Sequence, residues 1–193
     1  MTARDAAALI IASVTSSSLQ DTVEALQSYS SLPAYGGGFA KRVGHEKTSR
    51  ETLGKGWNLR MMPIPQLFSL GEHHTFGQFL PAIIEAAMIG EIQLAQPTAT
   101  DIRKIFAQTS ERSPHVSITM YVPVATARVV ISTTDWEEWR TYTPIGSETS
   151  VSFVGNPAQV DLVAEYSISD RTLYAVSQCL KDEPLPDNLR MKS

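Results

Sequence analysis

The densest group of side chains able to do chemistry is Glu72-His73-His74, a carboxylate followed by two imidazoles. Such a group could hold a metal ion or transfer protons. It lacks the His-Glu-x-x-His spacing that places two imidazoles on one helical face, and neighbouring residues of a strand point to opposite faces. We therefore expect no metal and no cofactor, and interpret the histidines as an exposed loop pair or as packing beside Phe76.

A second acidic group, Asp135, Glu137 and Glu138, surrounds Trp136 and Trp139. Two carboxylates could act as general acid and general base. An acidic turn with two tryptophans is more simply an exposed protein contact, because indole rings are enriched in the hot spots of interfaces. We assign Trp136 and Trp139 to self-association.

The remaining reactive residues match no catalytic motif. Gly54-Lys55-Gly56 lacks the hydroxyl residue that follows the lysine of a Walker loop, and no G-x-S-x-G sequence is present. The single cysteine, Cys179, falls in a predicted amphipathic helix, where a buried and inert thiol is expected. We expect no catalytic residues and no enzymatic activity.

Charge is distributed unevenly along the chain. The net charge is -4, but residues 41 to 60 carry six basic and two acidic residues, a local charge of +4. The plain interpretation is a solvated loop. The functional one is a mobile basic arm that binds an anionic membrane or nucleic acid, where each basic residue near a charged bilayer contributes about 1 kcal/mol. Trp57, Leu59, Met61 and Met62 could add an apolar anchor, or equally be the start of the core. The basic residues assigned to this site are Lys41, Arg42, Lys47, Arg50, Lys55 and Arg60.

Three segments follow from the patterning: an N-terminal helical segment (1–30), a Gly/Pro-containing basic loop (31–65) and a globular core with a short C-terminal tail (66–193). The first segment has apolar residues at helical spacing, and Leu9, Ile10 and Val14 are assigned to self-association. Pro33 and Tyr35 form a Pro-x-Tyr element in an extended stretch, which is typical of motifs read by aromatic grooves.

The core combines one strong helix with a later group of strands. Residues 76–91 carry a continuous apolar stripe, and residues 116–122 alternate as a half-buried strand does. Further strands are expected at 127–132, 150–154 and 159–167, and helices at 100–109 and 170–180. Helices gather mainly in the N-terminal half, so we predict an α+β fold in which they pack on a largely antiparallel sheet from the C-terminal half.

Length and composition suit one folded domain without disulfides. With 193 residues and one cysteine, the chain can bury a core but cannot form an intramolecular disulfide. The longest apolar stretches are far shorter than the roughly 20 residues of a spanning helix, and the N-terminus lacks a convincing signal peptide. The default expectation is a cytoplasmic protein.

The chain resembles the matrix proteins of rhabdoviruses, particularly the lyssavirus type. The size is similar, the Pro-x-Tyr segment precedes the globular part, and an apolar helix ends at Met88-Ile89-Gly90 before the sheet. Residues 149–155 followed by 159–164 are similar to the late strands of that family. Leu32 stands where the family has the first proline of its Pro-Pro-x-Tyr budding element.

The resemblance implies a non-enzymatic viral structural protein of the virion. Such a protein self-assembles, binds the anionic inner membrane surface of the host cell during budding, and links it to the nucleocapsid. Its partners would be copies of itself, the membrane and the nucleocapsid, with no small-molecule substrate. Two alternatives stay open: a capsid or coat subunit of another virus or phage, and a small enzyme with a site built from Glu72, His73, His74, Asp135 and Glu138.

Overall fold

The chain folds into a layer of helices packed on one antiparallel sheet. A computed structural model describes residues 1–15, 19–43, 46–59, 64–92, 114–122, 125–133, 135–144 and 164–181. The helices are α1 (Ala3–Thr15), α2 (Leu19–Ser30), α3 (Pro65–Phe68), α4 (Phe76–Met88) and α5 (Asp170–Leu180). The strands are β1 (Ala34–Val43), β2 (Glu46–Leu53), β3 (His115–Val122), β4 (Thr126–Ser132), β5 (Trp136–Tyr142) and β6 (Ala164–Ser169). The predicted α+β class is confirmed.

The six strands follow the order β2-β1-β5-β4-β3-β6, and all five pairings are antiparallel. Two strands therefore come from the N-terminal half, inside the segment that was predicted to be a loop. That prediction was wrong because Gly36, Gly37 and Gly38 carry no side chains and so give no alternating pattern. The strand at 159–167 appears as β6 from residue 164, whereas the predicted elements at 100–109 and 150–154 lie outside the described residues.

Alternate residues of the central strands define the core side of the sheet. In β3 the buried residues are Val116, Ile118 and Met120, as the alternation predicted. They pair across the ladder with Ile131, Val129 and Ala127 of β4, which are buried as well. The opposite side of the sheet, which we call the outer face, presents the residues between them.

Helix α4 forms the centre of the helical layer. Its predicted stripe is buried, with Phe79, Leu80, Ile83 and Ile84 at 0% exposure. The Gln78 side chain accepts a hydrogen bond from the Thr75 backbone N–H at 2.8 Å and so caps the first turn. The helix ends before Gly90, whose φ of 80° suits glycine.

The N-terminal helices belong to the same core. Ala6, Ala7, Ile10 and Ile11 of α1 are buried in the cluster that contains α4 and the sheet. Gly77 in the first turn of α4 lies against α2, since a Cβ there would stand 2.7 Å from the Ser30 carbonyl oxygen. None of the helices in the described ranges is long and apolar enough to cross a bilayer.

Candidate functional site

The basic segment forms a hairpin. In the register of β1 and β2, Arg42 pairs with Lys47, Lys41 with Ser49, and Ala40 with Arg50, with a bulge between Lys41 and Arg42. We call Lys41, Arg42, Lys47 and Arg50 the basic hairpin. The prediction of a mobile loop is corrected to paired strands, which bring the two ends of this ten-residue stretch together at one corner of the sheet.

Of the other two basic candidates, the structure places Lys55 alone. Lys55 is exposed and follows the far end of β2, whose eight residues span roughly 26 Å at the usual rise per residue. Arg60 lies outside the described residues. Of the five basic candidates that the structure describes, the four of the basic hairpin therefore come together and Lys55 does not.

Of the two alternatives for the apolar residues beside the basic segment, the structure supports the core for the residues that it describes. Trp57 and Leu59 are 5% and 1% exposed, and Trp57 stacks on Phe79 with ring centroids 5.3 Å apart. Met61 and Met62 lie outside the described residues. The apolar side chains here fill the core because residues 54–59, which we call the core-entry loop, fold back across β5.

A buried ion pair holds the core-entry loop in place. Glu138 and Arg140 are both 0% exposed, and Arg140 Nη2 lies 2.7 Å from Glu138 Oε1. The two carboxylate oxygens also accept the backbone N–H groups of Asn58 at 2.7 Å and Leu59 at 2.6 Å. Leu59 has a φ of 39°, an unfavourable value for leucine, and the carboxylate stabilises that conformation.

Arg140 also holds the core-entry loop, through hydrogen bonds from its guanidinium group to backbone carbonyls. Its Nε donates to the Gly56 carbonyl at 3.0 Å, Nη2 donates to the same carbonyl, and Nη1 donates to the Trp139 carbonyl at 2.7 Å. The guanidinium also lies over the Trp57 ring, 4.9 Å from its centroid. Burial lowers the pKa of Arg140, while the adjacent Glu138 carboxylate opposes that shift.

His74 belongs to a second buried chain of hydrogen bonds. Its Nδ1 lies 2.8 Å from the Gly71 carbonyl oxygen, and its Nε2 lies 2.9 Å from the Tyr142 hydroxyl. Because a carbonyl only accepts, Nδ1 carries the hydrogen and Nε2 accepts from Tyr142. The Tyr142 oxygen in turn accepts from Trp57 Nε1 at 3.3 Å.

The two titratable groups of this hydrogen-bond network, His74 and Tyr142, are held in their neutral forms. Burial lowers the pKa of His74, and the nearby Arg140 charge adds to that effect while the bond to Gly71 opposes it. Burial also raises the pKa of Tyr142 well above its ordinary value. The network connects the core-entry loop and the turn before α4 to β5, and its hydrogen-bonding groups are occupied by protein partners.

The five residues of the enzyme alternative lie in two different environments. Glu72 and His73 are exposed and Asp135 is exposed, whereas His74 and Glu138 are buried with the partners just described. Within the described ranges, no group of three or more His, Cys, Asp or Glu side chains is placed to hold a metal ion. The arrangement of His74 and Glu138 supports the fold and gives no open acid–base pair.

The residues assigned to self-association are mostly buried within the chain. Trp136 and Trp139 lie in β5 at 4% and 9% exposure, so the predicted exposed turn is wrong. Ile10 is 7% exposed and Val14 packs against the core, because α1 covers α4. Leu9 alone of the five is open to solvent, at 60%.

Two smaller predictions are also corrected or refined. Cys179 is exposed rather than buried, since it falls on the outer side of α5. Pro33 is built into the fold by a β-bridge to Thr75, so the Pro-x-Tyr element is not a free extended segment. Tyr35 remains 45% exposed at an irregularity in the β1–β5 register.

Sequence reasoning missed Arg140 and Tyr142. A signal for them was present, because Trp136, Glu138, Arg140 and Tyr142 are spaced by two and share one face of a strand. Because residues 135–139 were interpreted as a turn, the spacing of two that is typical of a strand was not recognised.

Comparison of the chain with models of known protein families, with curated proteins and with solved structures finds no significant match.

Proposed function

We propose that this protein is a non-enzymatic structural protein of the viral matrix type, which self-associates, binds anionic membranes through the basic hairpin and links them to a nucleocapsid. The observation that carries the proposal is the β1–β2 register. It brings four basic residues to one corner of a molecule whose net charge is -4.

A compact basic corner suits adsorption to a charged surface. Four basic residues near an anionic bilayer contribute about 4 kcal/mol together, which corresponds to roughly a thousandfold in affinity. The remainder of the chain, at -8, would be repelled by the same surface. The hairpin would therefore orient the molecule with one corner toward the membrane.

A membrane is favoured over single-stranded nucleic acid by the surroundings of the hairpin. Binding of unpaired bases uses exposed aromatic rings as stacking platforms. Phe39 of β1 is buried and stacks with Trp136 at 6.2 Å, and exposed Tyr35 lies at the opposite end of β1. Among the described residues the basic hairpin has no exposed aromatic ring beside it, and charge without such a platform supports binding to lipid.

Vesicle co-sedimentation tests the proposal. The chain should bind phosphatidylcholine vesicles that contain phosphatidylserine, and not vesicles of phosphatidylcholine alone. The variant K41Q/R42Q/K47Q/R50Q should lose this binding by at least about a hundredfold. The control variant R4Q/K55Q/R171Q/K181Q removes the same charge from exposed positions elsewhere and should bind within a few fold of the parent chain.

Equal losses in the two variants would show that only net charge matters and would overturn the assignment to the hairpin. Binding to single-stranded RNA that is tighter than vesicle binding, and lost in the hairpin variant, would transfer the site to nucleic acid. Electron microscopy of the vesicle-bound chain should show ordered arrays, and isolated particles would contradict the matrix-like assembly.

A further inference from the structure

The outer face of the sheet carries a row of hydroxyl groups centred on one arginine. The register aligns Thr119 of β3, Arg128 of β4 and Thr141 of β5 side by side. The row continues to Ser167 of β6 beyond Thr119 and to Gly36 of β1 beyond Thr141. Thr119, Arg128 and Thr141 are half-buried and Ser167 is exposed, so the row is reached from solvent.

Arg128 is unusual among the buried polar groups of the described part of the chain. Its Nε is shielded from solvent and has no hydrogen-bond partner, and no ion pair between described residues includes Arg128. A buried N–H without an acceptor costs about 1–3 kcal/mol. In contrast, Arg140 on the core side has acceptors for Nε, Nη1 and Nη2.

We propose that Arg128, flanked by Thr119 and Thr141, forms a binding site for a phosphate group on the outer face of the sheet. The two Nη groups of arginine form a planar fork that matches two oxygens of an oxyanion. The threonine hydroxyls on either side can donate to a third oxygen. This donor set suits a tetrahedral anion better than a planar carboxylate, which has only two oxygens.

The row is open at the end beside Thr141, since a Cβ built on Gly36 would meet no atom within 4 Å. The nearest acidic residue in the register is Glu165, which pairs with Tyr121 one row away. Burial is the main reason that the pKa of Tyr121 is raised. The charge of Glu165 raises this pKa further, and the charge of Arg128 lowers it. The carboxylate would weaken, and not block, binding of an anion.

Nuclear magnetic resonance titration tests the site with inorganic phosphate and, in a second arm, with glycerol phosphate, the soluble headgroup of an anionic lipid. We expect saturable shifts of the Arg128 Nε–H and of the Thr119 and Thr141 amides. Preference for glycerol phosphate would identify a lipid headgroup as the source, and preference for inorganic phosphate would identify a free anion. Acetate, a planar anion, should bind at least about tenfold more weakly than phosphate.

Variants locate the site and separate it from the basic hairpin. R128K keeps the charge but lacks the planar fork, and we expect about tenfold weaker binding. T141V removes one hydroxyl donor and provides a second test if R128K is destabilised. R171Q, an exposed arginine of α5, and the quadruple hairpin variant should both retain the shifts around Arg128.

Three results would overturn the site: no saturable shift along the row, full affinity in both R128K and T141V, or shifts confined to the basic hairpin. Loss of vesicle binding in the hairpin variant with intact phosphate shifts would leave this inference standing. The proposals on membrane binding and on the outer face can therefore fail independently.

Discussion

At the scale of single residues, the most informative side chain is the buried His74. It donates from Nδ1 to the Gly71 carbonyl and accepts at Nε2 from Tyr142. A second proton on Nε2 would point at the Tyr142 oxygen and displace the hydrogen that it accepts. The network therefore requires neutral imidazole, in agreement with the lowered pKa of His74.

This requirement predicts a specific pH dependence of stability. The pKa of His74 in the folded chain lies below the ordinary value of 6.5, so the unfolded chain binds more protons as the pH falls. Its contribution to stability is present above about pH 6.5 and is lost as the pH falls from there toward the folded pKa. One proton gives a slope of at most about 1.4 kcal/mol per pH unit.

Urea unfolding between pH 5 and 8 measures this slope. His74→Gln should be less stable overall and should show a shallower decrease in free energy of unfolding below about pH 6.5. His73→Gln changes the adjacent but exposed imidazole and should keep the parent slope. Parallel curves for the parent chain and His74→Gln would contradict the role given to this histidine.

At the scale of elements, β5 organises the molecule. It lies between β1 and β4, and its core-side residues hold the core-entry loop, the turn before α4 and the ring of Trp57. A central strand with a buried ion pair needs space for two long side chains. Gly37 of β1, the register partner of Arg140, provides that space.

Two neighbouring glycines of β1 provide a matched test. A Cβ at Gly37 would stand 2.1 Å from the Trp139 carbonyl oxygen and 2.6 Å from Arg140 Nη1, whereas one at Gly36 would meet nothing within 4 Å. Gly37→Ala should destabilise the chain by about 1–3 kcal/mol or more, because the obstacle includes backbone. Gly36→Ala should change stability by less than about 1 kcal/mol.

Chemical denaturation of the two variants measures the difference directly. Equal stability of Gly36→Ala and Gly37→Ala would mean that β1 does not lie against β5 in the register described here. A loss confined to Gly37→Ala supports both the register and the position of the Arg140 side chain.

At the scale of the whole molecule, the surface left for self-association differs from the one that the sequence suggested. A deletion of residues 1–30 would test self-association poorly, because it would also remove Ile10 and Ile11 from the core of the chain. Leu9 of α1 and Val23 of α2 are instead 60% and 54% exposed, on two helices that pack together. They are the apolar positions of the N-terminal segment best placed for a second copy.

Analytical ultracentrifugation should detect association that is strongest at low ionic strength. The basic hairpin of one copy and the acidic remainder of another attract each other, and the screening length falls to about 3 Å at 1 M salt. Leu9→Ser/Val23→Ser should weaken association at least about tenfold. Phe68→Ser/Ile89→Ser removes two exposed apolar side chains elsewhere and serves as the control.

A chain that stays monomeric at high concentration and low salt would contradict the self-association that the structural-protein proposal requires. The enzyme alternative would then gain weight, with exposed Glu72, His73 and Asp135 as its remaining accessible groups.

The sequence by itself determined the α+β class, helix α4 and the alternation of β3. These features depend on local periodicity: the α4 stripe repeats at helical spacing and Val116, Ile118 and Met120 repeat at two. The basic composition of residues 41–60 was also determined by the sequence, because charged residues can be counted without knowledge of the fold.

Only the tertiary structure decided where the polar and glycine-rich residues went. Glu138 and Arg140 become a buried pair because the core-entry loop, about 80 residues earlier, supplies their backbone partners. The strand β1 forms because β5 lies beside Gly37, and Arg128 gains its flanking threonines from two other strands. Each of these depends on contacts between distant parts of the chain, which local patterns do not encode.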